Sequence, residues 1–245
     1  MKRASVIGML AALIIGGVTC MSFADVFFYG GGGTWGCKPT DYNRSLQSEA
    51  DEWVDTWGGE VTGVDKFDGA SRWVGGVGYE TPSYGSVRLE YVVDRGYAGW
   101  QWRDLGWDEQ LEIKDKTVWT GFWLWWEYWW ACERFRFKPY VALGGGSCGA
   151  SRERTVPVEN LTGGWDWYEW DLNAEREIGY GLLVGSEFLL IPKVYGFAEI
   201  GWQQLKFTTW TIGTHDYPSF EGHELDEEFD ASGWFGRIGV RCRPW

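Results

Sequence analysis

The sequence predicts an all-β fold: an eight-stranded antiparallel up-and-down transmembrane β-barrel, with short turns at one rim and four long external loops at the other. Three observations carry this. Eight segments rich in Gly, Val and aromatic residues recur, their apolar and polar positions alternate, and the connections between them alternate between very short and very long.

Residues 1–24 read as a secretory signal peptide. Lys2 and Arg3 precede the apolar run 6–18, and Ser22-Phe23-Ala24 supplies a small-x-small site for cleavage before Asp25. The run is shorter than the roughly 20 residues of a spanning helix. Residues 25–245 then form one barrel domain. Loss of Lys2 and Arg3 takes the formal charge from -13 to -15, which argues against nucleic acid as a partner because phosphate binding needs basic clusters. Four cysteines remain, Cys37, Cys132, Cys148 and Cys242, in a compartment that permits disulfides. No CxxC or Cys/His spacing marks a metal site, and no cofactor is expected.

The strands are expected at about 25–36, 69–80, 84–94, 117–131, 134–147, 177–190, 193–208 and 232–243. After residue 24 no apolar run is long enough for a transmembrane helix. Side chains alternate along a strand, so parity sorts each segment into two faces. One face carries Trp73, Leu89, Phe122, Trp126, Leu143, Leu182, Ile200 and Ile238 with their alternate neighbours, and no charge. The other carries Arg72, Glu80, Arg88, Glu90, Glu127, Arg134, Arg136, Lys138, Glu187, Glu199, Arg237, Arg241 and many glycines. The first strand, with Phe27, Phe28 and Tyr29 in sequence, does not sort.

Periodicity leaves open which face is outside. A soluble lipocalin-like barrel would put its charges in water and its aromatics around an apolar ligand, and Gly33-Thr34-Trp35 matches the GxW motif of that family. A membrane barrel reverses the faces. The connections choose: tight turns lie near 81–83, 131–133 and 191–192, and long connections at 37–68, 95–116, 148–176 and 209–231. Outer-membrane barrels have this asymmetry. Residues 118–130 (VWTGFWLWWEYWW) then divide by parity. Phe122, Leu124, Trp126, Tyr128 and Trp130 face lipid, Glu127 faces the lumen, and Trp119, Trp123, Trp125 and Trp129 need room opposite glycines such as Gly144, Gly179 and Gly181.

Residues 74–80 (VGGVGYE), a turn with Pro82, and residues 87–91 (VRLEY) resemble the central hairpin of small OmpA-like and OmpX-like outer-membrane barrels. Residues 183–188 (LVGSEF), Pro192 and 197–202 (FAEIGW) look like a second copy. Residues 137–146 (FKPYVALGGG) are similar to the family's fifth strand. The resemblance covers the mature chain in architecture and these stretches in motif. It implies an outer-membrane location, contact with membrane lipid, and insertion by the outer-membrane assembly machinery through a C-terminal strand ending in an aromatic residue, here Trp245. Counted back from Trp245, Arg243, Arg241 and Arg237 depart from the apolar side chains usual there.

Two sets of candidate site residues follow. Arg72, Arg88, Glu90, Glu127, Arg136, Glu187, Glu199 and Arg237 are expected to form a lumen salt-bridge network that closes the pore. The Trp-x-Trp stretches 99–107 (GWQWRDLGW) and 164–172 (GWDWYEWDL) offer Trp100, Trp102, Trp107, Trp165, Trp167 and Trp170 as loop contacts for a surface glycan or protein. The competing reading is that strands continue above the bilayer and pack these indoles on one another. The stretch 214–230 holds both histidines and seven carboxylates without the spacing of a metal motif, and reads as a solvated loop. Ser219 with His215 or His223 is the one catalytic candidate and lacks a surrounding motif. By depth, Cys37 and Cys148 lie at the loop rim and Cys132 and Cys242 at the turn rim, each pair on opposite strands, so free thiols are expected. The expected protein is non-enzymatic, serving envelope structure or adhesin-like surface interaction. The alternatives are the lipocalin-like binder and a lipid-modifying enzyme.

Overall fold

The computed structural model describes residues 26–81, 85–105, 110–130, 137–159, 165–214, 222–225 and 227–243, the side chains of 156–159, 165–168 and 214 excepted. The leader expected at 1–24, Arg134, Arg136, Cys132, Trp107, His215, Ser219 and Trp245 lie outside these residues.

In chain order the elements are β1 (Val26–Cys37), α1 (Thr40–Trp57), β2 (Glu60–Asp65), β3 (Ala70–Thr81), β4 (Gly85–Arg103), β5 (Gln110–Trp129), β6 (Phe137–Glu159), β7 (Trp165–Ile191), β8 (Val194–Gln204), β9 (Lys206–Phe207), β10 (Trp210–Thr214), β11 (Glu224–Leu225), β12 (Phe229–Asp230) and β13 (Gly233–Cys242). Strands β1, β3, β4, β5, β6, β7, β8 and β13 pair in that order, all antiparallel, and β13 returns to β1. This is the expected eight-stranded barrel. Closure leaves the ring without an unpaired strand edge.

Register fixes the two faces. One cross-strand row runs Val87, Trp126, Leu143, Leu182, Trp202, Trp234 around the outside. The adjacent row runs Arg88, Trp125, Gly144, Gly181, Gln203, Gly233 on the inside. Outside, Trp73, Trp126, Leu143, Ile178, Ile200 and Ile238 are exposed; inside, Arg88, Glu90, Glu127 and Arg241 are buried. The first strand also sorts. Phe27 and Tyr29 point inward against Gly78 and Gly76, whose added Cβ atoms would lie 2.1 Å from the Phe27 ring and 2.8 Å from the Tyr29 hydroxyl, while Phe28 points outward. Both faces are aromatic here because glycines on β3 admit inward rings, so hydrophobicity alone could not separate them.

Small glycines also house the inward tryptophans. A Cβ on Gly144 would lie 2.4 Å from Cε3 of Trp125, and one on Gly146 or Gly179 would lie 2.7 or 2.9 Å from Trp123. The two indoles stack, centroids 5.5 Å apart at 17°.

The strands run further than the sequence pattern suggests. Most of 95–116 and 148–176, expected as loops, is strand: β4 and β5 pair from Gly85↔Tyr128 to Arg103↔Gln110, and β6 and β7 from Phe137↔Phe188 to Glu159↔Trp165. Above Val93 and Val118 the polarity of the faces inverts. Arg95, Gln101, Glu112 and Lys114 now point out, and Ala98, Trp100, Trp102, Leu111 and Ile113 point in. An antiparallel ladder persists wherever its backbone groups pair and one face is covered, so the wall continues although its outer face turns from apolar to polar.

The connection 37–68 is no open loop either. Helix α1 buries Tyr42, Leu46 and Ala50 within the extended wall, with Trp53 and Val54 packed beside them. This i, i+4, i+8 spacing is an amphipathic helical face. It ends at Gly58, whose φ of 75° suits glycine and whose N–H donates to Val54 O at 2.8 Å.

Candidate functional site

Two plugs occupy the barrel, one of charge and one of aromatic rings. In the charged plug, Arg237 Nη1 lies 2.7 Å from Glu90 Oε1 and its Nε also pairs with Glu199. Arg88 Nη1 bridges Glu199 at 2.5 Å and Glu127 at 2.8 Å. Arg241 reaches Glu127 at 3.0 Å and pairs with Glu187. Tyr29 donates to Glu90 at 3.0 Å, and Tyr140 and Ser86 donate to Glu199 and Glu127. Towards the turn rim, Arg243 joins Glu80 and Glu187, each at 2.9 Å, and Lys138 meets Glu80 at 2.9 Å.

Arg88, Glu90, Glu127, Glu187, Glu199 and Arg237 thus come together in one connected cluster. Arg72 stands apart on a higher level, clamped by Asp94 through Nε–Oδ1 at 2.8 Å and Nη2–Oδ2 at 3.0 Å, its guanidinium 4.3 Å from the Trp35 ring centroid. From Arg72 to the turn rim, the described lumen holds six cations (Arg72, Arg88, Lys138, Arg237, Arg241, Arg243) against six carboxylates (Glu80, Glu90, Asp94, Glu127, Glu187, Glu199). Neutrality matters because an unpaired buried charge costs several kcal/mol.

The network expected from the sequence leaves out Asp94, Tyr29, Tyr140, Arg241 and Arg243, although parity already places Arg241 on the charged face. The resemblance counted back from Trp245 leads one to expect apolar side chains at Arg241 and Arg243; the structure has both pointing inward and paired. The phenols carry no sequence signal that separates them from other strand aromatics.

The aromatic plug sits above. Trp53 of α1 packs edge-on against Trp100 and Trp102, at 5.6 and 6.3 Å between centroids, and Trp102 Nε1 donates to Gly58 O at 2.7 Å. Trp100 and Trp102, expected among the displayed loop contacts, are instead buried at 1% and 2% exposure. Both continue the inward parity of Arg88 and Glu90, so the extended ladder turns them towards the helix. Trp170 is half-buried on β7, and the side chains of Trp165 and Trp167 lie outside the described residues.

Polar contacts fasten the helix. Asn43 exchanges two hydrogen bonds of 2.8 Å with the Phe67 backbone, and Tyr42 donates to Asp115. Arg154 pairs with Asp115 at 3.3 Å and with Glu49. Arg152 lies 4.3 Å from the Tyr42 ring centroid and 4.4 Å from that of Trp210, and binds Glu227 at 2.9 Å. Burial, and then the Asp115 carboxylate, push the Tyr42 phenol well above its ordinary range.

Cys37 and Cys148 are free and buried, and Cys242 is free and exposed. Among the described residues no cluster of His, Cys, Asp and Glu could hold a metal ion.

No protein-family model matches the sequence, and no curated protein matches it. Solved structures with a partly similar course of chain include a surface protein and two outer-membrane proteins. Neisserial surface protein A is 12% identical over 90% of this chain and 97% of its own, with a TM-score of 0.44. OprG from Pseudomonas aeruginosa is 13% identical over 89% and 94%, TM-score 0.48. A major outer membrane protein from Thermus thermophilus is 14% identical over 88% and 98%, TM-score 0.47.

Proposed function

We propose that the protein is an integral outer-membrane barrel without a pore, serving envelope structure or surface interaction and not catalysis. One observation carries the reading: a closed ring that exposes an apolar belt all round while burying paired charges inside. Apolar area on this scale, left in water, would drive association; in hydrocarbon it is the stable arrangement, and closure satisfies the backbone groups that lipid cannot. A lipocalin-like binder needs the reverse, an apolar cavity and a charged exterior. Trp35 of the GxW match instead packs on Arg72.

Burial takes Trp100 and Trp102 out of the candidate interaction surface, and the outside of the cap joins it. Asp41, Asp51, Glu52 and Asp55 are exposed on α1, which favours an acidic, water-facing top. Expression in a Gram-negative host, followed by membrane fractionation and gels run with and without heating, tests the reading. Recovery in the outer-membrane fraction with heat-modifiable migration is expected. A protein soluble in the periplasm, migrating identically in both lanes, would contradict it.

A further inference from the structure

On the outer wall above the apolar belt, register sets Asp65 of β2, Gly99 of β4 and Lys114 of β5 side by side. Gly99 contributes no side chain between its two neighbours, so Asp65 and Lys114 face each other across two strand spacings, about 10 Å. A cleft of about 200 Å³ opens there, lined by Asp65, Tyr97, Gln101, Glu112 and Lys114. Tyr97 forms one end and is 60% exposed. At the other end Lys114 Nζ lies 2.7 Å from Glu112 Oε2, and Gln101 donates to Glu112 Oε1 at 3.3 Å, so the three polar groups hold one another in place. Among the described residues the Asp65 carboxylate and the Tyr97 hydroxyl have no hydrogen-bond partner.

The chemistry of the lining selects its ligand. Two carboxylates, an amide and an ammonium around one exposed ring offer acceptors and donors together with a single apolar platform. A phosphate would meet Asp65 and Glu112 as like charges. An apolar ligand would strip water from four polar side chains without replacing their hydrogen bonds. A pyranose satisfies both demands, because its hydroxyls donate and accept around the rim while its C–H face lies on an aromatic ring.

Height agrees with this. Gly99 lies six residues beyond Val93, the last apolar outward residue of β4 below the polarity inversion. At about 3.3 Å per residue and a tilt of about 40°, that is about 15 Å above the belt. The phosphate and interfacial layer extends only about 5–8 Å beyond the hydrocarbon. The cleft therefore opens sideways into the layer where a glycolipid leaflet carries its sugars. We propose that this cleft is a saccharide site, in which Tyr97 stacks on a pyranose ring and Asp65, Gln101, Glu112 and Lys114 bind its hydroxyls. The height, though not the lining chemistry, rests on the outer-membrane reading.

Saturation-transfer NMR on the full-length barrel in detergent micelles tests the site. The probes are the methyl glycosides of glucose, galactose, mannose and N-acetylglucosamine, a lipid-free core oligosaccharide, and intact lipopolysaccharide. Transfer to at least one probe is expected, weakened about tenfold in Tyr97→Ala, the weight of one aromatic contact, and retained in Tyr97→Trp. Transfer to the free sugars supports a free-glycan source; Tyr97-dependent transfer to lipopolysaccharide alone supports a lipid headgroup. No transfer to any probe, or equal transfer in Tyr97→Ala, overturns the site. Heat-modifiable migration of each sample shows that the barrel is folded. A heat-modifiable barrel that binds no sugar sinks this site alone, whereas a chain that is not heat-modifiable sinks the membrane reading.

Discussion

Glu127 and Arg241, 114 residues apart in sequence, meet in a two-pronged pair across the lumen, with Nη2–Oε1 at 3.0 Å and Nη1–Oε2 at 3.2 Å. Glu127 also pairs with Arg88 at 2.8 Å. One carboxylate within a stretch of aromatics thus ties β5 to β4 and β13.

Replacing Glu127 by Gln keeps its shape and removes its charge, leaving two guanidinium groups without a full counter-charge. Destabilisation of about 3–5 kcal/mol is expected. Glu153, paired with Lys116 at 2.8 Å on the wet outer wall, should lose no more than about 1 kcal/mol on the same change. Urea midpoints in lipid vesicles compare the two. Equal effects would mean that the lumen is hydrated like the surface.

A second contrast concerns two glycines. A methyl at Gly144 would press on Trp125 at 2.4 Å and on Leu124 O at 2.9 Å, and backbone cannot yield as a side chain does. Gly144→Ala should cost about 1–3 kcal/mol. Gly236, with nothing within 4 Å of its added Cβ, should tolerate Ala within about 0.5 kcal/mol. The same urea titration measures both.

The charged and aromatic clusters lie one above the other in the lumen, so purified protein added to planar bilayers should give no steady conductance. Stable nanosiemens-scale openings would contradict the plug.

The cap should respond to alkali. The folded phenol of Tyr42 titrates above its unfolded value, so its contribution is fully present below about pH 10 and is lost as pH rises through the folded value. Cleavage within residues 38–69 by an alkali-tolerant protease should stay slow up to about pH 10 and accelerate beyond it. In Tyr42→Phe, which carries no titrating group, that acceleration should be absent. Identical profiles would remove Tyr42 from the account.

Much of the fold was legible because one face of the barrel wall is uniformly apolar. Trp126, Leu143 and Leu182 occupy one outward row, and their parity alone placed Glu127 inside. Legibility failed where the apolar belt ends. At Arg95 and Lys116 the outward side chains become polar, and Trp100, Trp102 and Ile113 take the apolar role inside. A reading that follows one constant apolar face sees the pattern break there and ends the strand, although backbone pairing continues. The helix signal at Tyr42, Leu46, Ala50 and Trp53 was present too, at period 3.6 within a chain otherwise of period two. Within the plug, charged residues were recognisable by parity; which arginine meets which carboxylate depends on strand tilt around the ring, which one strand's sequence does not contain.

The inside-out distribution of side chains is the central claim, and nitroxide labels at single cysteines read it most directly. Labels replacing Leu124, Leu143, Ile200 and Ile238, in protein reconstituted into lipid vesicles, should be accessible to dissolved oxygen and shielded from a water-soluble nickel chelate. Labels at Arg95 and Gln101 should show the opposite. If the four belt positions prove open to the chelate, the apolar face is not in lipid and the membrane-barrel account fails.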